Sequence, residues 1–202
     1  MSDDPYSQLV SLELDRPVWE RFFLPAPLTV IGTREESGDY DLAPKHMVTP
    51  LGWQNYFGFV CTPTHSTYQN IQREEAFTVS FPRPEQVVLT SLTASPRCDD
   101  GSKIEVQSVP TIPARWIDGV LVRDSSLMFE CELDRIIDEF GPNSLISGKI
   151  IAAHVHEDAL RSDDRDDQDV VASSPLMVYL HPGRFTRVVK SDSFPFPAGF
   201  RR

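Results

Sequence analysis

Proline punctuates this chain from end to end, with seventeen in 202 residues against ten glycines. A proline inside a helix removes a backbone donor and crowds the preceding turn, so long helices find little uninterrupted sequence here. Between the prolines, apolar residues come as short runs or alternations. Leu28-Thr29-Val30-Ile31-Gly32, Tyr56-Phe57-Gly58-Phe59-Val60-Cys61 and Ala76-Phe77-Thr78-Val79-Ser80-Phe81 read as strands, each closed by a turn signal or a proline. Leu127 to Leu133, Leu145 to His156 and Leu176 to Leu180 add three more. Short strands separated by turn-rich segments predict a mostly β barrel or sandwich. Helical signals are confined to Ser66 to Glu75, which opens on a hydroxyl cap candidate, and to Gln86 to Leu92 behind Pro84-Glu85. The Gly119-Val120-Leu121 region is readable either way.

A hydrophobic share of 40% is enough for one core, since a chain of this length can bury roughly 70% of its unfolded surface. With no internal repeat and no linker, residues 1–202 are expected to form a single domain. It carries an acidic loop at about 161–170, where Asp163, Asp164, Asp166, Asp167 and Asp169 crowd together, and an extended Phe/Pro tail at 193–202. The rings of Phe194 and Phe196 need cover, either on the chain's own barrel or on a partner subunit.

Nineteen basic against thirty acidic residues give a formal charge of -11. Such a field repels phosphate backbones and excludes nucleic acid as a general partner. It leaves room for one bound phosphate, because a local nest of N–H groups outweighs a distant net charge. Cys61, Cys98 and Cys131 make no C-x-x-C pair and are expected as reduced thiols. Met1-Ser2-Asp3-Asp4 lacks a signal-peptide pattern, and no apolar run approaches ~20 residues. No membrane partner and a cytoplasmic setting are therefore expected.

The stretch from Asp41 to Asn70 is richest in chemistry. Thr62, Thr64, His65, Ser66 and Thr67 fall between the end of a strand and the start of a helix. Free first-turn amides and the helix dipole favour a phosphate there, and hydroxyls add donors. An ordinary capped helix with surface hydroxyls fits the same residues.

The order of two motifs adds to this reading. Asp41-Leu42-Ala43-Pro44-Lys45-His46 and His65-Ser66-Thr67-Tyr68-Gln69-Asn70-Ile71 flank an aromatic strand. The first is similar to Asn-x-Ala-Pro-x-Ser and the second to Lys-Asp-Thr-x-x-Asn-Ile, which makes the chain resemble the flavin reductase-like family of FMN-binding split β-barrels. Ser147-Gly148-Lys149-Ile150 looks like that family's Gly-x-Val strand, and Tyr179-Leu180-His181-Pro182-Gly183-Arg184-Phe185 like its closing segment. The resemblance runs from about Pro25 to Val188. It implies a mostly β, Greek-key split barrel with a few short helices. It also implies an FMN cofactor lying along Lys45, His46, Met47 and Thr49, with its phosphate end near Thr62, His65, Ser66, Thr67 and Asn70. Lys45 is a candidate to face the N1/O2 end of the ring. The expected activity is NADH- or NADPH-dependent flavin reduction, or reduction of a small-molecule acceptor by hydride transfer through flavin N5. The expected assembly is a homodimer with FMN near the subunit interface. His181 is the candidate for contact with nicotinamide or the acceptor.

Two other readings stand beside this one. The barrel could be a non-catalytic flavin-binding module. Alternatively His154 and His156, two apart on a strand and so on one face, could bind a metal with Glu157, Asp158 or His181 in a hydrolase. There is no G-x-G-x-x-G, no P-loop and no G-x-S-x-G.

Overall fold

The computed structural model describes residues 5–99 and 101–200; Met1-Ser2-Asp3-Asp4 and the final Arg201-Arg202 lie outside the described residues. In chain order the strands are β1 (Leu24–Pro27), β2 (Thr29–Arg34), β3 (Tyr40–Lys45), β4 (Val48–Pro50), β5 (Tyr56–Cys61), β6 (Ala76–Phe81), β7 (Thr111–Pro113), β8 (Val120–Val122), β9 (Leu127–Phe140), β10 (Asn143–Val155), β11 (Leu176–His181) and β12 (Arg184–Val188). The helices are α1 (Ser66–Glu74), α2 (Val87–Leu92) and α3 (Asp167–Ser173).

Seven strands form one sheet in the order β3-β2-β6-β9-β10-β5-β4, with every pairing antiparallel. The long β9–β10 hairpin at its centre shifts register at Asn143/Leu145, Ser147/Gly148 and Ile150/Ala152. Such irregularities bend a strand and increase its twist, which curls this sheet into a half-barrel. A second sheet, β1-β11-β12, lies apart from it in the pairing, and β7-β8 makes a small ribbon.

Phe57 and Phe59 of β5, Phe77 and Val79 of β6 and Ile31 of β2 meet Tyr68 and Ile71 of α1 in the main core. Alternation along β6 sends Thr78 and Ser80 to the opposite face, yet both are 1% exposed. The ribbon covers them: Thr78 Oγ1 donates to Val120 O (2.6 Å) and Val122 N–H donates to Ser80 Oγ (2.9 Å). Gly32 permits this approach, because a Cβ there would meet Thr78 Oγ1 at 2.4 Å and Val120 O at 2.7 Å. β2 is consequently buried on both faces, with Val30 and Leu42 in a second core beneath Val106, Val109 and Val122.

The expected strands and both helices are present, with differences that have physical causes. The Ser66 hydroxyl does not cap α1: the N-cap is His65, whose side chain makes no capping bond, and the helix ends on left-handed Glu75 (φ 53°). The acidic stretch 161–170 is not all loop. Asp166 Oδ1 accepts from Gln168 N–H (2.8 Å) and starts α3, using acidic residues where a helix N-terminus favours them. In the tail, Phe196 stacks on Phe200 and meets Phe194 at a tilt, both with centroids 4.6 Å apart, and the three rings remain largely exposed, so the barrel does not bury them. Cys61 and Cys131 are buried and Cys98 exposed, all three as free thiols.

Candidate functional site

The turn from β3 into β4 organises the site. Val60 N–H donates to Met47 O (2.9 Å), and Val48 pairs with Phe59, which straps the turn across β5. Thr29 Oγ1 donates to Lys45 O (3.2 Å) and fixes its near end on β2.

At that end the Lys45 side chain leaves β3 and donates from Nζ to Cys61 Sγ (3.5 Å), where β5 stops. Thr62 follows, donating from Oγ1 to Asn143 Oδ1 (3.1 Å) at the start of β10. His65 then caps α1, and burial together with the Lys45 charge holds its imidazole below the ordinary pKa of 6.5. The next two amides, Ser66 and Thr67, meet no carbonyl among the described residues, and Thr67 is 3% exposed. The helix mouth thus gathers Lys45, Thr62, His65, Ser66 and Thr67 around donors without acceptors. That arrangement suits an anion.

At the far end of the turn, His46, Met47, Val48 and Thr49 line a groove of about 410 Å³. Gly58 and Val60 of β5 and Leu145 of β10 line it with them, as do Trp19, residues 24–27 and His181. Mostly apolar walls with a few polar groups, at this size, are typical of small-molecule sites. His46 bridges the two sheets: its ring lies 4.6 Å from Tyr179 and 5.1 Å from His181, with Nε2 3.2 Å from His181 Nδ1. Burial, then His181, then Lys45 lowers the His46 pKa.

Several sequence readings change place. Lys45 sits with the helix mouth rather than along the groove. Asn70 is not at the mouth: its Nδ2 donates to Thr33 Oγ1 (3.0 Å) and its Oδ1 accepts from Arg73 (3.1 Å), locking α1 to β2. Asp41 is buried and held by Lys103 (3.2 Å) and Arg97 (3.3 Å), an anchor for the 97–103 segment. The metal reading fails on geometry. His154 Nε2 pairs with Glu130 (3.2 Å), His156 Nδ1 with Asp158 (2.8 Å), and no three His, Cys, Asp or Glu converge among the described residues.

Trp19, Val60, Leu145 and Tyr179 were missed. Period-two alternation on β5 could have given Gly58 and Val60, since Phe57 and Phe59 take the core face. Nothing local marks Leu145, which reaches the groove through its long-range pairing opposite Val60, or Trp19, which lines it from the short 3-10 turn 18–20 ahead of β1.

The chain belongs to the flavin reductase like domain family, whose model matches residues 21–188. It is 27% identical over 161 residues to an uncharacterised protein of Methanothermobacter thermautotrophicus, which covers 77% of this chain and 74% of that protein. Its fold is similar to that of nitrilotriacetate monooxygenase component B from Bacillus cereus, with TM-score 0.78 and 16% identity over 93% of this chain and 98% of that one. It is also similar to an FMN-binding protein from Thermus thermophilus, with TM-score 0.76 and 19% identity over 93% of this chain and 100% of that one. The architecture is the split barrel of that family.

Proposed function

We propose that this protein binds FMN and serves as an oxidoreductase that passes electrons from NADH or NADPH to a small-molecule acceptor. One observation carries the reading: a single five-residue stretch, 45–49, running from the end of β3 through the turn into β4, joins a cationic helix mouth to a mostly apolar groove. A flat ring system ending in a phosphate has those two requirements. When bound, FMN supplies the two-electron chemistry, while the protein positions it and tunes its surroundings.

The chain's own residues divide the task. The Ser66 and Thr67 amides, with the Ser66 and Thr67 hydroxyls, hold the phosphate, Lys45 supplies positive charge beside it, and the His65 imidazole adds a further hydrogen-bonding group. Met47, Val48, Thr49, Gly58, Val60 and Leu145 line the groove that would take the ring. These walls exclude water, which strengthens every electrostatic contact inside. His46 and His181 close the groove at the seam between the sheets.

The groove's rim suggests an assembly. Trp19 and Leu24 line it while 40% and 46% exposed, and Phe22 and Phe23 beside them are 67% and 55% exposed. Apolar patches of this kind mark interaction surfaces. A homodimer whose partner covers this arm, near the FMN site, is the assembly they fit.

Anaerobic mixing of FMN-loaded protein with NADH or NADPH tests the activity. Bleaching of the flavin absorbance by either nucleotide is expected. Bound flavin that neither nucleotide bleaches would make the protein a carrier rather than a reductase.

A further inference from the structure

His46 and His181 lie 135 residues apart, on the β3–β4 turn and on β11, yet their facing nitrogens are 3.2 Å apart and their ring planes are inclined at only 28°. A hydrogen bond between two imidazole nitrogens needs one to carry the hydrogen and the other to be bare. The pair can therefore take up one extra proton, on the outward nitrogen of the donating ring, but not two, which would set two N–H groups face to face.

The surrounding charges sharpen this. Lys45 adjoins His46 on the β3–β4 turn, and Tyr179 packs against both rings from β11. Arg184 on β12 lines a neighbouring cavity of about 330 Å³ that shares His46 as a wall. No carboxylate lines either cavity, and β1, β5, β10 and α2 contribute no titratable side chain to them. A protonated pair thus lacks a counter-charge until negative charge develops in the groove. In the groove lining these two imidazoles are also the side chains of acid–base type.

We propose that His46 and His181 act together as a shared-proton acid for an acceptor reduced in this groove, one whose reduction takes up a proton along with the hydride. The inference rests on the FMN reading above. For a quinone, a hydride from the reduced flavin makes one O–H bond and a proton from the imidazolium N–H makes the other. The products are the hydroquinone, oxidised flavin and a neutral pair. Water returns the proton to the pair, and NADH or NADPH returns the hydride.

The test compares two oxidants on FMN-loaded, pre-reduced protein: p-benzoquinone, and ferricyanide, which takes electrons without a proton. His46→Gln and His181→Gln are each expected to slow reoxidation by p-benzoquinone at least ~10-fold more than reoxidation by ferricyanide, the low end of general-acid effects. An equal loss with both oxidants, or no loss with either, overturns the proposal. A second readout needs no flavin. With five histidines in the chain, imidazole resonances followed by NMR across pH should show the two rings responding together in shared steps, and His181→Gln should raise the His46 midpoint. Independent midpoints in the wild-type protein overturn the proposal even if neither variant folds. Failure of the wild-type protein to hold FMN sinks the reading beneath, whereas bound, reducible FMN with indifferent variants sinks this inference alone.

Discussion

Lys45 and Thr67 show how much depends on single side chains at the helix mouth. Lys45→Met is expected to weaken FMN binding about 5–10-fold, since a charge-assisted contact of this kind contributes on the order of 1 kcal/mol. Flavin fluorescence quenching measures it, and the gap between variant and parent should narrow as salt screens the charge. Thr67→Ala is expected to weaken binding as well, without that salt dependence. Gly148 is a different kind of residue: a Cβ there would lie 2.4 Å from Phe77 Cζ in the main core. Gly148→Ala should cost about 1–3 kcal/mol of stability, the scale of core overpacking, read from denaturant unfolding. Residue chemistry was partly legible. The placing of His65, Ser66 and Thr67 at a helix start was readable from strand-to-helix spacing, and the Ala43-Pro44 resemblance fell on β3 just ahead of the turn. Lys45 and Asn70 were harder, because which neighbour takes an ammonium or an amide depends on strands distant in sequence, β5 for the one and β2 for the other.

Among the elements, β9 holds a feature that its sequence conceals. Glu130 reads as a solvent-facing strand residue, yet it is 0% exposed and accepts from the amides of Arg115, Trp116 and Ile117 and from His154. Burial alone would raise its pKa, but those donors outweigh it and hold the carboxyl below the usual 4.5. A depressed carboxylate stabilises the fold above its unfolded value and loses that contribution as pH falls through the folded one. Thermal unfolding should therefore show the midpoint dropping steeply below pH 4.5, less so in Glu130→Gln. At neutral pH that variant should be about 2–3 kcal/mol less stable, the scale of hydrogen bonds to a charged group. Element types were the most readable level: β5 and β6 match their sequence limits residue for residue. β9 runs on to Phe140 past the expected Leu133, because its last residues are charged and exposed and lose the alternation that marks a half-buried strand. The short strands β1, β4, β7 and β12 carry three to five residues each, too few to show a period.

At the scale of the molecule, the site lies in the seam between the seven-stranded sheet and the β1-β11-β12 sheet, with His46 and Tyr179 in contact across it. No local pattern encodes a seam, so the pairing of His46 with His181 and the reach of Trp19 into the groove appear only once the sheets are placed. The exposed arm at 18–24 and the Phe/Pro tail belong to this scale too. Sedimentation equilibrium is expected to give twice the chain mass of 22.8 kDa, and Phe22→Ser with Phe23→Ser to shift the balance toward monomer. The central claim, that one turn links a phosphate-binding helix mouth to a ring-binding groove, is tested most directly by an absorption spectrum of the protein after incubation with FMN and desalting. Flavin bands retained at about one per chain, and reduced by Thr67→Ala, are expected. A protein that emerges colourless after incubation with excess FMN would contradict it.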